Sequence, residues 1–478
     1  MKTKVFFAAA VLMVSAACSS EVASQAENRS SLNLTVYNNN RALVQEVRRI
    51  TLPAGNSTIR FEGVAQNIIP QSLIVVSSGS GRGAAGFRVL EQNYEFDLIS
   101  REKLLEKFVG KDVVLLDEDH ILGGEKRVPA RLIANSFAPV FEVDGQILLG
   151  FGGQILLPEL PANLYARPTL NWLVNAPRAG EFTADVSYLT AGINWNADYV
   201  MLLADDDKSA SITAWVTLTN QSGAAFENAN LRLIAGDVNM VRNQEQLMRR
   251  RGEMHAPVAM GMADAAEPMM EQRSFDEFHL YTVANPVSVG ENQTKQIEMF
   301  SAQNVRTQRR YRIQGGGGHI SVARNSTDRG NPLPVQSQIV FQTGRRNNLD
   351  MPFPRGVMRI YKRDGAANVF IGEDNVRHTP VNEEIVLRTG NAFDITAFER
   401  MVSQRQINPQ RSEFTKEITV SNHKREAVSI QFDENLWGNW TIKSDTPHTA
   451  VNANTARFEL NVPAGRTITL QYTVNIER

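Results

Sequence analysis

Hydrophobic and polar positions alternate along most of the chain with the period of a β-strand. Phe182, Ala184, Val186 and Tyr188 alternate with Thr183, Asp185 and Ser187, the pattern of a strand with one buried face. Gly192 interrupts the run and residues 195–203 resume it. Asp205, Asp206, Asp207 and Lys208 mark a turn. Ile212, Ala214, Val216 and Leu218 then line one face of a third strand, with Thr213, Trp215, Thr217 and Thr219 on the other. After a turn at 220–223 the chain returns through 231–235. This pattern predicts a four-stranded antiparallel meander over 182–241, the hub of the protein.

The flanks read the same way. Strands are expected at 32–40, 42–52 and 57–64, and the apolar run Leu73, Ile74, Val75, Val76 predicts a buried strand. One helix interrupts them near 101–109: Ser100 is a cap, Leu104, Leu105, Phe108 and Val109 share a face, and Gly110 suits a left-handed C-terminal residue. Further strands follow at 112–117, 127–135, 139–143, 146–150 and 154–158, before Pro158, Pro161 and Pro168 mark an extended crossing. The last part gives five alternating runs, among them Ile418 with Val420, Val428 to Phe432, and Ile468 to Ile476, with Trp440 as the expected core tryptophan. VTLTNQSGAAFENANLRL and ITVSNHKREAVSIQF share a strand-Asn-turn-strand plan.

The fold class is therefore all-β and multidomain. An N-terminal β module with one helix is expected over 32–168, a central β-sandwich hub over 169–411, and an immunoglobulin-like β-sandwich over 412–478. Residues 243–274 are rich in Met, Arg, Glu and Ala without strand periodicity, which predicts a disordered insert. At 478 residues the chain exceeds the size of one core, since domains cluster at about 100–150 residues.

Charge narrows the partners. Fifty Lys and Arg against 51 Asp and Glu leave a formal charge of −1, which argues against nucleic acid. The N-terminus predicts a compartment: Lys2 and Lys4, an apolar run over 5–14 and small residues at 15–17 form a signal peptide, 1–17. Cys18, the only cysteine, follows at once. VSAAC resembles a bacterial lipobox, although Ser15 stands where such motifs usually carry Leu. The resemblance implies lipid attachment at Cys18, a flexible tether over 18–31, and an outer-membrane lipoprotein facing the periplasm. Cleavage after Ala17 to leave a soluble periplasmic or secreted protein is the alternative.

SYLTAGINWNADYV with WVTLTNQSGAAFENANLRLIAGDVN resembles the bacterial domain-of-unknown-function family 4139. So do FHLYTVANPVSVGENQTKQIEMFSA (278–302), residues 355–380 and GNAFDITAFER (390–400). The resemblance spans nearly the whole mature chain and implies an exported β-rich protein without an agreed activity.

Motifs for chemistry are sparse. Gly81, Gly83 and Gly86 match a dinucleotide fingerprint, but a strand rather than a helix follows, so a glycine turn is expected. The seven histidines form no zinc motif, and no G-x-S-x-G nucleophile is present. Three contiguous aspartates do not have calcium-loop spacing. No catalytic residue, metal site or cofactor is assigned. Trp172, Trp195, Trp215, Tyr188 and Tyr199 could pack as core or form an aromatic platform. Trp195, Asp198, Trp215 and Asp237 are the candidate ligand or interface residues. The expected function is a non-catalytic envelope scaffold or binding module with an envelope protein or glycan partner. The alternatives are a hydrolase of envelope polymers and copper handling through Met254, His255, Met260, Met262, Met269 and Met270.

Overall fold

The computed structural model describes residues 21–477 apart from 25–27, 80, 82, 96–97, 120–123, 162–163, 237, 240–269 and 317–329. The protein is all-β, with sandwich-like packing of several sheets and one α-helix among the described residues, Arg101–Phe108. It divides into two compact units. The first comprises Met1–Asn194, Thr219–Arg232 and Pro286–Gln293, and the second Trp195–Leu218, Leu233–Asn285 and Thr294–Arg478.

The four hub strands form as their alternation requires, but they are not one meander. Gly180–Ala191 pairs with Arg41–Leu52 and Ile74–Gly79. Ile193–Leu203 lies in another sheet, between Ser209–Asn220 and Gly356–Asp364, and pairs parallel with the latter. Gly192 makes the change of sheet possible. Its φ is +83°, and a Cβ there would collide with the Gln221 carbonyl, so a side chain is excluded by both conformation and space. Phe226–Ala235 leaves the sheet of Ser209–Asn220 again. Period-two alternation shows which face of a strand is buried, not which strand lies beside it.

In the first unit, Arg29–Tyr37, Arg41–Leu52, Gly180–Ala191 and Ile74–Gly79 are neighbours in that order. A second sheet runs Glu21–Ser24, Gly55–Glu62, Thr169–Ala176, Arg88–Glu95. The two sheets meet where the Arg48 guanidinium lies 3.7 Å from the Phe61 ring centroid and donates to the Glu62 carbonyl at 2.8 Å. The strand predicted to be buried at 73–76 is an edge strand: Ile74–Gly79 has Gly180–Ala191 as its one neighbour, and Ile74 and Val76 are about 60% exposed.

The module expected over 32–168 also resolves differently. Arg88–Glu95 and Thr169–Ala176 are paired neighbours, so the boundary at 168/169 cuts a sheet. Between them the chain builds a separate five-stranded sheet: Gln146–Leu149, Val140–Val143, Gly124–Ala134, Asp112–Asp119, Gln154–Leu156. The helix packs against this sheet. Ser100 Oγ accepts from the Lys103 amide at 3.2 Å, and Leu105 and Phe108 join Val113, Leu115, Leu132 and Phe141 in one core.

In the second unit a long sheet runs Ala367–Val376, Gly356–Asp364, Ile193–Leu203, Ser209–Asn220, Gln293–Gln314, Val428–Asn435, Thr455–Val462, His448–Asn452. Against its last strands packs a five-stranded sheet, Asn331–Leu333, Ile395–Asn408, Arg411–Asn422, Thr467–Glu477, Asn439–Ser444. Their shared core includes Ile418, Ile430, Phe432, Phe458, Tyr472 and Val474. The boundary at 411/412 falls inside a hairpin, because Ile395–Asn408 pairs with Arg411–Asn422. Tyr311, Ile313 and Ile395 also belong to this core. Trp440 is half-buried at its margin, with Nε1 donating to the Ala453 carbonyl at 2.7 Å.

The shared strand-Asn-turn-strand plan has a common mechanism. Asn220 Oδ1 accepts from the Ser222 amide at 3.1 Å and its Nδ2 donates to the Ala224 carbonyl at 2.8 Å. Asn422 repeats both bonds, with the Lys424 amide at 3.0 Å and the Glu426 carbonyl at 2.8 Å. Each buried asparagine closes a corner where the chain leaves one sheet for another. The insert of 243–274 is shorter than its composition suggests: Met270–Phe275 is a strand paired with Phe278–Val283, and Met270 is buried. Residues 243–269 of that insert, including the other methionines and His255, lie outside the described residues.

Candidate functional site

The structure separates the candidate residues of the hub. Trp195 and Asp198 differ by an odd number of strand positions and face opposite ways. Trp195 is 1% exposed, its ring edge-on to Tyr281 with centroids 6.3 Å apart and its Nε1 donating to the Ile234 carbonyl at 3.3 Å. Tyr199 is buried, stacked on Phe353, and donates to the Pro354 carbonyl at 2.7 Å. Burial pushes its phenol well above the usual value. Trp172 and Tyr188 are likewise closed to solvent. Of the five aromatic residues only Trp215, half-buried on the threonine-bearing face, reaches the surface.

Asp198 lies on the outer face of its strand. Its carboxylate accepts from Thr217 Oγ1 at 2.7 Å and from Arg359 at 3.0 Å. Arg359 also lies 3.5 Å from Glu373, and Thr217 accepts from Gln296 at 3.2 Å. This is a satisfied surface network, and such pairs hold neighbouring strands in register. Asp207 plays a similar part at the aspartate turn, taking Arg309 and Lys362 at 2.8 Å each. Burial opposes its charge, but the two cations outweigh that and hold the carboxyl below its ordinary range. Asp237 and Cys18 lie outside the described residues. Among the described residues no group of three or more His, Cys, Asp or Glu is arranged to hold a metal ion.

Two other places carry more unusual chemistry. The first is the five-stranded module. Its edge strands, Gln146–Leu149 and Gln154–Leu156, are joined by only residues 150–153. The five Cα steps from Leu149 to Gln154 reach at most about 18 Å, slightly less than the roughly 19 Å across four strand spacings of a flat sheet, so the sheet curls. The edges flank a cleft of about 1060 Å³ whose lining includes Leu115, Val128, Ile147, Leu148 and Phe151. Both edges carry Gln-Ile-Leu-Leu. Every residue of Gln146–Leu149 is exposed, Leu149 to 79%. The duplicated tetrapeptide is visible in the sequence; that its copies form the two edges is a property of the pairing.

The second is a charged cluster inside the C-terminal sandwich. Lys416 Nζ lies 2.7 Å from Glu434 Oε1 and 2.9 Å from Glu399 Oε1. Tyr472 donates its hydroxyl to Glu434 Oε2 at 2.9 Å. Lys416 and Glu434 have no exposed side-chain surface, Glu399 has 4%, and Tyr472 is buried. Burial, only partly offset by Lys416, raises the Glu434 carboxyl above its ordinary value. The signal was available: Lys416 occupies an inward position between Phe414 and Ile418, and Glu434 follows Val428, Ile430 and Phe432 at the same period.

No protein-family model matches the chain, and no curated protein matches it.

Proposed function

We propose that the protein is an exported envelope scaffold or binding module, related to family 4139, anchored by lipid at Cys18, with an immunoglobulin-like C-terminal part and no catalytic role toward a partner. Its binding element is the curled module, and its ligand is an extended apolar segment of another envelope protein. The observation that supports this reading is the pair of Gln-Ile-Leu-Leu edges, with Ile147 and Leu149 exposed, flanking a cleft of mixed polar and apolar lining. An edge strand presents unpaired amides and carbonyls to any chain of matching geometry. An added strand would gain main-chain hydrogen bonds from the edge and seat alternate side chains in the cleft.

A hydrolase would use a carboxylate pair in an open pocket. Glu399 and Glu434 are such a pair but are closed to solvent, so they do not favour that reading. The test is photo-crosslinking in intact envelopes with the crosslinker at Leu149. A discrete protein adduct is expected, and Ile147→Lys should abolish it while leaving the melting temperature unchanged, because Ile147 is 59% exposed. An adduct that survives Ile147→Lys, or none from wild type, would refute the assignment.

A further inference from the structure

We propose that Lys416 and Glu434 form an intramolecular amide cross-link between the two sheets of the C-terminal sandwich, with Glu399 as the proton carrier. Three features of the cluster support it. The amine and the carboxyl are already in contact at 2.7 Å, so Cδ, one bond beyond Oε1, is close to the separation of about 3–3.5 Å from which oriented groups react. The reacting groups lie among Phe414, Ile418, Phe432, Phe458 and Tyr472, where little water is present to reverse a condensation. A second carboxylate, Glu399, sits 2.9 Å from the same nitrogen, where it can take a proton from one atom and return it to another.

Transfer of the Lys416 ammonium proton to Glu434, across the 2.7 Å contact, gives an amine beside a carboxylic acid. Burial already biases Glu434 toward the protonated form. Nζ attacks Cδ and the Nζ–Cδ bond forms. Glu399 takes the proton from nitrogen, while the Tyr472 hydroxyl, 2.9 Å from Oε2, stabilises the oxyanion. Glu399 then returns its proton to the departing hydroxyl, the Cδ–Oε1 bond breaks and water leaves. One ammonium and one carboxylate have become one amide and one water, and Glu399 ends as it began. No oxidant or co-reactant is consumed.

The surrounding backbone leaves room for this. A Cβ on Gly315 would collide with Glu434 Oε2, and one on Gly316 would lie 3.1 Å from Glu399 Oε2. The product would tie Arg411–Asn422 of one sheet to Val428–Asn435 of the other.

The test is mass spectrometry of the purified full-length protein. Wild type is expected to be one water lighter than its sequence and N-terminal processing require, with a branched tryptic peptide joining Lys416 to Glu434 and no cleavage after Lys416. Glu399→Gln, which keeps the shape of the side chain, should restore the full mass while retaining the β-sheet circular dichroism of wild type. Linear peptides containing unmodified Lys416 and Glu434 from folded wild type would overturn the proposal, and this measurement needs no variant. A branch at Glu399 instead of Glu434, or water loss that persists in Glu399→Gln, would overturn the assignment of roles.

Discussion

Truncating Trp195 distinguishes architecture from recognition in the strand most characteristic of this sequence. The ring is 1% exposed, meets Tyr281 edge-on at 6.3 Å and donates to the Ile234 carbonyl at 3.3 Å. Trp195→Ala removes both interactions and leaves a cavity, for which buried aromatic truncations cost about 3–5 kcal/mol. The edge-on pair contributes roughly 0.5–1.5 kcal/mol and the hydrogen bond about 1 kcal/mol. Both lie within the truncation cost rather than adding to it. A cooperative unit of 150–250 residues loses about 2–4 °C for each kcal/mol, so the transition containing Trp195 should fall by roughly 10 °C. Asp198→Asn is the control. Its carboxylate is 24% exposed and its partners are Thr217 and Arg359, so the loss should stay near 1 kcal/mol. Scanning calorimetry of both variants beside wild type measures the difference. An unchanged transition for Trp195→Ala, or a larger loss for Asp198→Asn, would refute the architectural role of Trp195.

Two further outcomes are expected. Metabolic labelling with a fatty-acid analogue should mark wild type and not Cys18→Ser; equal labelling of both, or of neither, would remove the lipid anchor. Asp433 sits between Arg312 and Arg457. Burial disfavours its charge, but the two arginines outweigh it and hold the carboxyl below its ordinary value. A depressed folded-state pKa stabilises the fold above the unfolded value, and that stabilisation is lost as pH falls through the folded one. Asp433→Asn should therefore be less stable than wild type near neutral pH, with the gap narrowing on acidification. Urea midpoints from about pH 7 to about pH 3 measure this, and parallel curves would contradict it.

Much of the local structure was legible because burial repeats every second residue. The faces of Gly180–Ala191 and Ser209–Asn220 follow their side chains position by position. Partnership was not legible, for a physical reason. Ala191 and Ile193 belong to strands in different sheets, and the cause is one glycine at positive φ against the Gln221 carbonyl, which a hairpin would also have used. Ile74 and Val76 misled for the same reason: apolar composition fits either a central strand or an exposed edge. Of the candidate ligand residues, Trp195 and Asp198 are adjacent in pattern yet opposite in direction, so a shared motif did not become a shared surface.

The polar residues that break the alternation from the inward side were a stronger signal than the motifs, and the two charged clusters of this kind show what decides their chemistry. Glu46 and Arg48 both face inward on Arg41–Leu52 and pair with each other at 3.0 Å. Arg48 is further held by the Glu62 carbonyl and the Phe61 ring. A guanidinium stays protonated and delocalised, so this pair can only be satisfied, never converted. Lys416 faces two carboxylates with a compact amine, a nucleophile once its proton is transferred. Removing either partner of a buried pair leaves an uncompensated charge, which costs several kcal/mol. An amide would remove both charges at once without removing either side chain. Both clusters are therefore buried and hydrogen-bonded, but only the lysine cluster contains a nucleophile, an electrophile and a base in mutual contact.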